Sequence, residues 1–252
     1  MSPNGRLAAG LGQNGMRYYD PHECSQLNEL KVDMGVLNII SGWHSAGDVI
    51  IVEQMPMFGG YAGGIEETAI CDVATTLASF AVFNGDIHLD GPIHIRWGTT
   101  TTRETLQVAS HAAAALDYNT DLLLANQYYT MAGPCTEMCL LETAAQAIAD
   151  TASGRELLSG VASAKGVSID RATGLEARML GEASAATCGM EISEVNKILD
   201  KVVSKYEMNF FNAPQGKTYR ECYNVDESTP SNEYLNIYDT VLDTLSDCGL
   251  GF

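Results

Sequence analysis

Short apolar runs alternate along this chain with longer segments whose apolar residues recur at three- and four-residue steps. That alternation limits the fold more than any other feature. Apolar strands joined by helices pair in parallel, and a parallel sheet needs both of its faces covered. The spacing predicts a helix over residues 22–40, carried by Leu27, Leu30, Met34, Leu37 and Ile40, then a strand over 49–53 and a long helix over 65–83. Residues 92–97 alternate as a strand, 102–116 are Ala-rich and helical, 121–127 form a continuous apolar strand and 137–152 a helix. A short strand at 159–164, helices at 174–187 and 193–206, a loop-like stretch at 217–226 and a closing helix at 232–245 complete the order.

About four strand–helix units are visible, whereas a closed (β/α)8 barrel has eight. The fold class is therefore α/β with parallel strands, arranged as a small open sheet or as half of a TIM-type barrel. The whole chain, 1–252, reads as one domain, with residues 1–20 resembling an active-site loop and 217–252 forming a C-terminal loop and helix.

Glu53 closes the run Val49-Ile50-Ile51-Val52, and a Gly-rich stretch, Phe58-Gly59-Gly60-Tyr61-Ala62-Gly63-Gly64, leads from it into Ile65-Glu66-Glu67. A carboxylate at the carboxyl end of a buried strand stands where sheet-based enzymes keep their chemistry. Glycines let backbone approach a ligand closely, so a phosphate cradle is the first reading. No Lys or Arg lies between Lys31 and Arg96, however, and Glu66 and Glu67 occupy a first helical turn where they repel an anion. The loop suits a neutral or cationic ligand better, and an ordinary strand-to-helix turn fits the spacing equally well.

Composition excludes several classes. Thirty-two acids against 14 Lys and Arg give a formal charge of −18, which opposes sequence-independent nucleic-acid binding, although a saline cytosol would also favour such acidity. No run reaches membrane-spanning length, the N-terminus lacks the order of a secretion signal, and the expected location is the cytoplasm. Seven cysteines without paired short spacings favour reduced thiols. Cys135 and Cys139 stand four apart, but a zinc site needs two more ligands, and no metal site is expected.

If the strands are parallel, Glu53, Arg96-Trp97-Gly98 and Gln127-Tyr128-Tyr129 converge on one rim, with Glu23 near the start of the first helix. Glu23, Glu53, Gln127 and Tyr129 then offer two carboxylates, an amide and a phenol, a set that can hold an amine or protonate a nitrogen. Bland readings accompany each. Glu23 serves equally as a dipole-favoured first-turn residue, Tyr128 and Tyr129 as rim packing, His94 and Arg96 as the polar side of a strand, and Met55 and Met57 as loop packing.

Glu23-Cys24-Ser25-Gln26-Leu27-Asn28-Glu29-Leu30-Lys31, Glu53-Gln54-Met55-Pro56, the Gly-rich stretch through Glu67, Leu89-Asp90-Gly91-Pro92, and Asn126-Gln127-Tyr128-Tyr129 with Met131-Ala132-Gly133-Pro134 together resemble the monomethylamine methyltransferases of methylotrophic methanogens. The resemblance runs over essentially the whole chain and matches the C-terminal half of the family's protein. It implies an eight-stranded α/β barrel, a homo-oligomer, and methyl transfer from monomethylamine to the reduced cobalt of a separate corrinoid protein. It also implies a pyrrolysine, encoded by an in-frame amber codon, expected a few positions upstream of Met1, whose imine receives the amine. No cofactor is expected on this chain itself. In that family's site Glu53 corresponds to the carboxylate beside the imine, Gln127 and Tyr129 to polar partners, and Glu23 to a second acid. The other readings are a non-catalytic fragment or amine-binding module, and a barrel enzyme using the Gly-rich loop for a phosphorylated ligand.

Overall fold

The computed structural model of the chain describes residues 20–26 and 31–252. The loop expected over residues 1–20 lies, but for Asp20, outside the described residues, as do Leu27 and Leu30. Five strands form one parallel sheet in the order β1-β2-β4-β6-β7, with β1 at His22–Ser25, β2 at Ile50–Glu53, β4 at Ile87–Asp90, β6 at Leu124–Tyr129 and β7 at Leu157–Ala162. Successive neighbours in chain order, each crossing by a helix, give the arc of an incomplete barrel. Two-residue strands β3 (Met57–Phe58) and β5 (Ile93–His94) pair beyond the carboxyl ends of β2 and β4.

The helices are α1 (Met34–Ala46), α2 (Ile65–Ala81), α3 (Arg103–Asn119), α4 (Glu137–Ala152), α5 (Gly174–Thr187) and α6 (Ile192–Tyr206). A short α7 (Tyr219–Cys222) and an antiparallel pair, β8 (Tyr223–Asn224) with β9 (Thr229–Pro230), precede α8 (Asn232–Cys248). Side-chain caps set several starts: Asp33, Thr102, Thr136, Thr173 and Ser231 each accept from the first turn of their helix. The main core joins α4 to α5, α6 and α8. From Met138 to Asp150 every residue of α4 is buried, and its run of alanines keeps the neighbouring helices close.

Several expectations need correction. Residues 22–25 form an edge strand, held by His22 N donating to Val49 O at 2.9 Å and Gln26 N to Glu53 O at 2.9 Å, and the helix begins only at Met34. Sheet pairing outweighs the helical spacing there, and Glu23 is a strand residue. The strand expected over 92–97 shrinks to Ile93–His94; the sheet strand is Ile87–Asp90, passed over because His88 and Asp90 interrupt its apolar character. Arg96 and Trp97 therefore close no sheet strand. The strand expected at 121–127 runs 124–129, the one expected at 159–164 runs 157–162, and the stretch 217–226 contains α7 and β8.

Candidate functional site

Side chains alternate across the sheet, so each strand presents one set to the helices and the other to the concave face. On the concave face Glu23, Ile51, Leu89 and Gln127 line a cavity of about 460 Å³ that β7 closes with Ser159 and Val161. No lysine or arginine lines it among the described residues. Register places Ser25 beside Glu53 at the carboxyl end of the sheet, and Ser25 Oγ donates to Glu53 Oε2 at 2.7 Å.

Electrostatics link Glu23, Glu53 and Tyr129 of the four expected residues, and Gln127 lines the same cavity as Glu23. The Glu23 carboxyl is raised above its ordinary value, first by burial, then by the charge of Glu53 and a hydrogen bond to it. The Tyr129 phenol is pushed up by burial and then by both Glu53 and Glu23, so it remains a hydrogen-bond donor. Gln127 Oε1 is buried and has no hydrogen-bond partner among the described residues, an acceptor waiting for a donor. Two acids sharing one site, with a phenol and an unengaged amide oxygen, can bind an ammonium group and take a proton from it.

Tyr129 is held by groups that the sequence reading missed. Thr99 Oγ1 donates to Tyr129 O, Thr100 N donates to the same oxygen at 3.1 Å, and Tyr129 N donates to Thr100 Oγ1 at 3.0 Å. Thr100 Oγ1 donates in turn to Gln146 Oε1 at 2.6 Å, and Thr101 Oγ1 donates to Glu142 Oε1. Glu142 also accepts from Met131 N at 2.8 Å and Ala132 N at 2.9 Å, clamping the loop that leaves β6. Burial raises its carboxyl to about 7 even against these three donors. The available signal was the pair Glu142 and Gln146, four apart on an alanine-rich helix, facing four consecutive threonines at 99–102. Gly166, with φ +65°, completes the seat: a Cβ there would lie 3.0 Å from the Tyr129 ring.

The other candidates fall away from this face. Tyr128 is fully buried on the helix side and is no rim residue. Arg96 stacks on Trp97 and Phe211, 4.6 and 4.9 Å from their ring centroids. In the Gly-rich loop Gly59 N donates to Gly63 O, Gly60 N to Met57 O, Gly63 N to Gly60 O and Gly64 N to Glu67 Oε2. With those donors spent inside the loop, a phosphate cradle has little left to offer. Cys135 and Cys139 are free thiols, and among the described residues no third metal-ligating side chain joins them.

Parallel strands with helical crossovers and an acidic rim at their carboxyl ends define an α/β protein of the TIM-barrel class, present here as part of a barrel. The family model for monomethylamine methyltransferase MtmB matches residues 1–250, and the chain belongs to that family. It is 60% identical over 233 residues to monomethylamine methyltransferase MtmB1 of Methanosarcina acetivorans, covering 92% of this chain and 51% of that protein. It is 57% identical over 252 residues to MtmB1 of Methanosarcina barkeri, covering 100% of this chain and 55% of the other. The crystal structure of the Methanosarcina barkeri monomethylamine methyltransferase superposes with a TM-score of 0.97 at 57% identity, over 100% of this chain and 55% of that one, and a crystal structure of a hydroxylamine MtmB complex superposes equally well. The chain thus spans about half the length of the relatives it matches.

Proposed function

We propose that this chain acts as the C-terminal part of a monomethylamine:corrinoid protein methyltransferase, moving the methyl group of monomethylamine to the cobalt of a partner corrinoid protein. The observation that carries the reading is the concave face, without lysine or arginine among the described residues, where Glu23 and Glu53 share a site beside Tyr129 and Gln127 Oε1. Methylamine arrives as an ammonium ion, and a paired carboxylate face attracts it and accepts the proton it must lose before its nitrogen can react. A known relative forms a complex with hydroxylamine, a small amine-like nucleophile, which supports a site of this size and polarity.

Family membership implies a pyrrolysine, contributed from upstream of Met1, that would supply an electrophilic imine. The residues present fit such a group: Gln127 Oε1 lacks a donor, Tyr129 offers one, and Glu53 can hold or return a proton at the nitrogen. Glu23, kept protonated to higher pH than an ordinary carboxyl, can donate toward Glu53. The protein's share of the work is orientation and charge control.

Assembly into homo-oligomers and a cytoplasmic location belong to the same proposal. Among the described residues, no helix is long and apolar enough to cross a membrane. The DNA upstream of the Met1 codon tests the reading: an open frame of roughly two hundred further codons, as a full barrel requires, should cross a single in-frame UAG close to Met1. Unrelated or frameshifted sequence there would favour a non-catalytic fragment instead.

A further inference from the structure

The opposite face of the same sheet carries a second polar cluster, sealed under α2 and apart from the amine-binding face. Asp72 of α2 meets His88 and Asp90 of β4, and one ligand atom from each lies within 4.8 Å of the others. All three residues are 1% exposed or less. Both oxygens of Asp72, Oδ1 of Asp90 and Nε2 of His88 have no hydrogen-bond partner among the described residues.

The hydrogen bonds behind His88 determine what its free nitrogen presents. Ser79 Oγ has one proton, which it gives to Thr75 O at 3.0 Å, and it accepts from Gln26 Nε2 at 2.8 Å. His88 Nδ1 lies 2.6 Å from the same oxygen, and in the tautomer that donates from Nδ1 the unpartnered Nε2 keeps its lone pair. A ring oriented by a hydrogen bond from its second nitrogen is the usual support for a metal-binding histidine. The cluster thus brings three ligand atoms together in a place closed to bulk water.

Charge counts sharpen the choice of occupant. Arg155 pairs with Asp90 at 2.7 Å and with Asp150 at 3.0 Å, and no other basic side chain pairs with them among the described residues. With Asp72, three carboxyl groups share one guanidinium and one imidazole, an acid excess that either a proton between Asp72 and Asp90 or a bound cation can offset. Two carboxylate oxygens with one imidazole nitrogen suit a first-row transition ion.

We propose that Asp72, His88 and Asp90 form a structural site for one divalent transition-metal ion, which ties α2 to β4 behind the sheet. Full-length protein purified without chelator or affinity metal should contain about one equivalent of zinc, manganese or iron per chain by plasma mass spectrometry, as expected when binding is coupled to folding. Stripping with dipicolinate should lower the melting temperature, and Zn²⁺ or Mn²⁺ should restore it. Asp72→Asn, close in volume to the native residue, should lose most of the metal and its response to chelator. Metal-free wild-type protein whose melting temperature ignores both chelator and added Zn²⁺ or Mn²⁺ would overturn the proposal and assign the cluster to protons. If Asp72→Asn fails to fold, the wild-type metal content and the chelator response decide alone.

Discussion

On β4 and β6 the residues turned toward the helices are His88, Asp90, Asn126 and Tyr128, whereas those turned toward the concave face are Leu89, Ala125, Gln127 and Tyr129. Both faces therefore carry polar chemistry, and around Arg155 the rear face treats it in the opposite way from the front. Behind the sheet, Arg155 is clamped by Asp90, Asp150 and the carbonyls of Ala125 and Ala109, while Asn126 Nδ2 donates to both oxygens of Asp150 at 2.9 and 2.7 Å. In front of it, among the described residues, no lysine or arginine pairs with the acids and the amide oxygen of Gln127 has no partner. The lesson is that a polar residue's role follows from whether its partners come from the protein or must come from a ligand. Buried ion pairs organise the fold at a large desolvation cost, while an unpaired set leaves its binding capacity for a substrate.

That contrast can be broken from either side. The largest expected effect is on the concave face: in the full-length protein Glu53→Gln should lower methyl transfer to the corrinoid protein by about 10²- to 10⁴-fold, the span of a lost acid–base group. Its melting temperature should stay near wild type, because the change is nearly isosteric and lies at the end of its strand, outside the apolar core. Wild-type turnover at saturating methylamine would make that carboxylate structural. Arg155→Met should do the reverse, costing about 3–5 kcal/mol of stability by leaving Asp90 and Asp150 without their cation. Urea denaturation of the full-length variant measures this, and an unchanged midpoint would show that the network tolerates the loss.

A third test concerns Glu142, which links the two halves of the comparison by holding the Tyr129 loop. Its folded value of about 7 lies above the ordinary 4.5, so its folded form prefers the proton. Stability from this group is fully present below pH 4.5 and is lost as pH rises through 7, by about 3 kcal/mol at most. Denaturation midpoints should show that decline, and Glu142→Gln should flatten it. The smallest expected effect is Gln127→Ala, where one neutral hydrogen bond to the bound ligand contributes on the order of 1 kcal/mol, or about fivefold in rate. A far larger loss would give Gln127 more than a supporting part.

The legible parts of this chain were those where local pattern and tertiary environment agree. Residues 137–152 and 174–187 form helices with the expected bounds, and Glu53 ends a strand as its apolar run implies. Strand β4 was illegible because Ile87-His88-Leu89-Asp90 buries its polar residues among helices instead of turning them to water, which inverts the usual alternation. Strand β1 was masked by apolar residues at helical steps, several of which belong to the helix that begins twelve residues after His22.

By itself the amino-acid order determined the parallel α/β class, the acidic and lysine-poor character of the candidate site, and the motifs that place the chain in its family, because each is written in neighbouring residues. Only the tertiary structure decided that Glu23 joins Glu53 from an adjacent strand, that Thr99 to Thr101 seat Tyr129 through Glu142 and Gln146, and that Asp72, His88 and Asp90 meet behind the sheet. Those contacts bridge separations of up to 46 residues, and their existence depends on strand register and on which face each side chain takes. A shift of one position along any strand would exchange the two faces, so no local pattern could specify them.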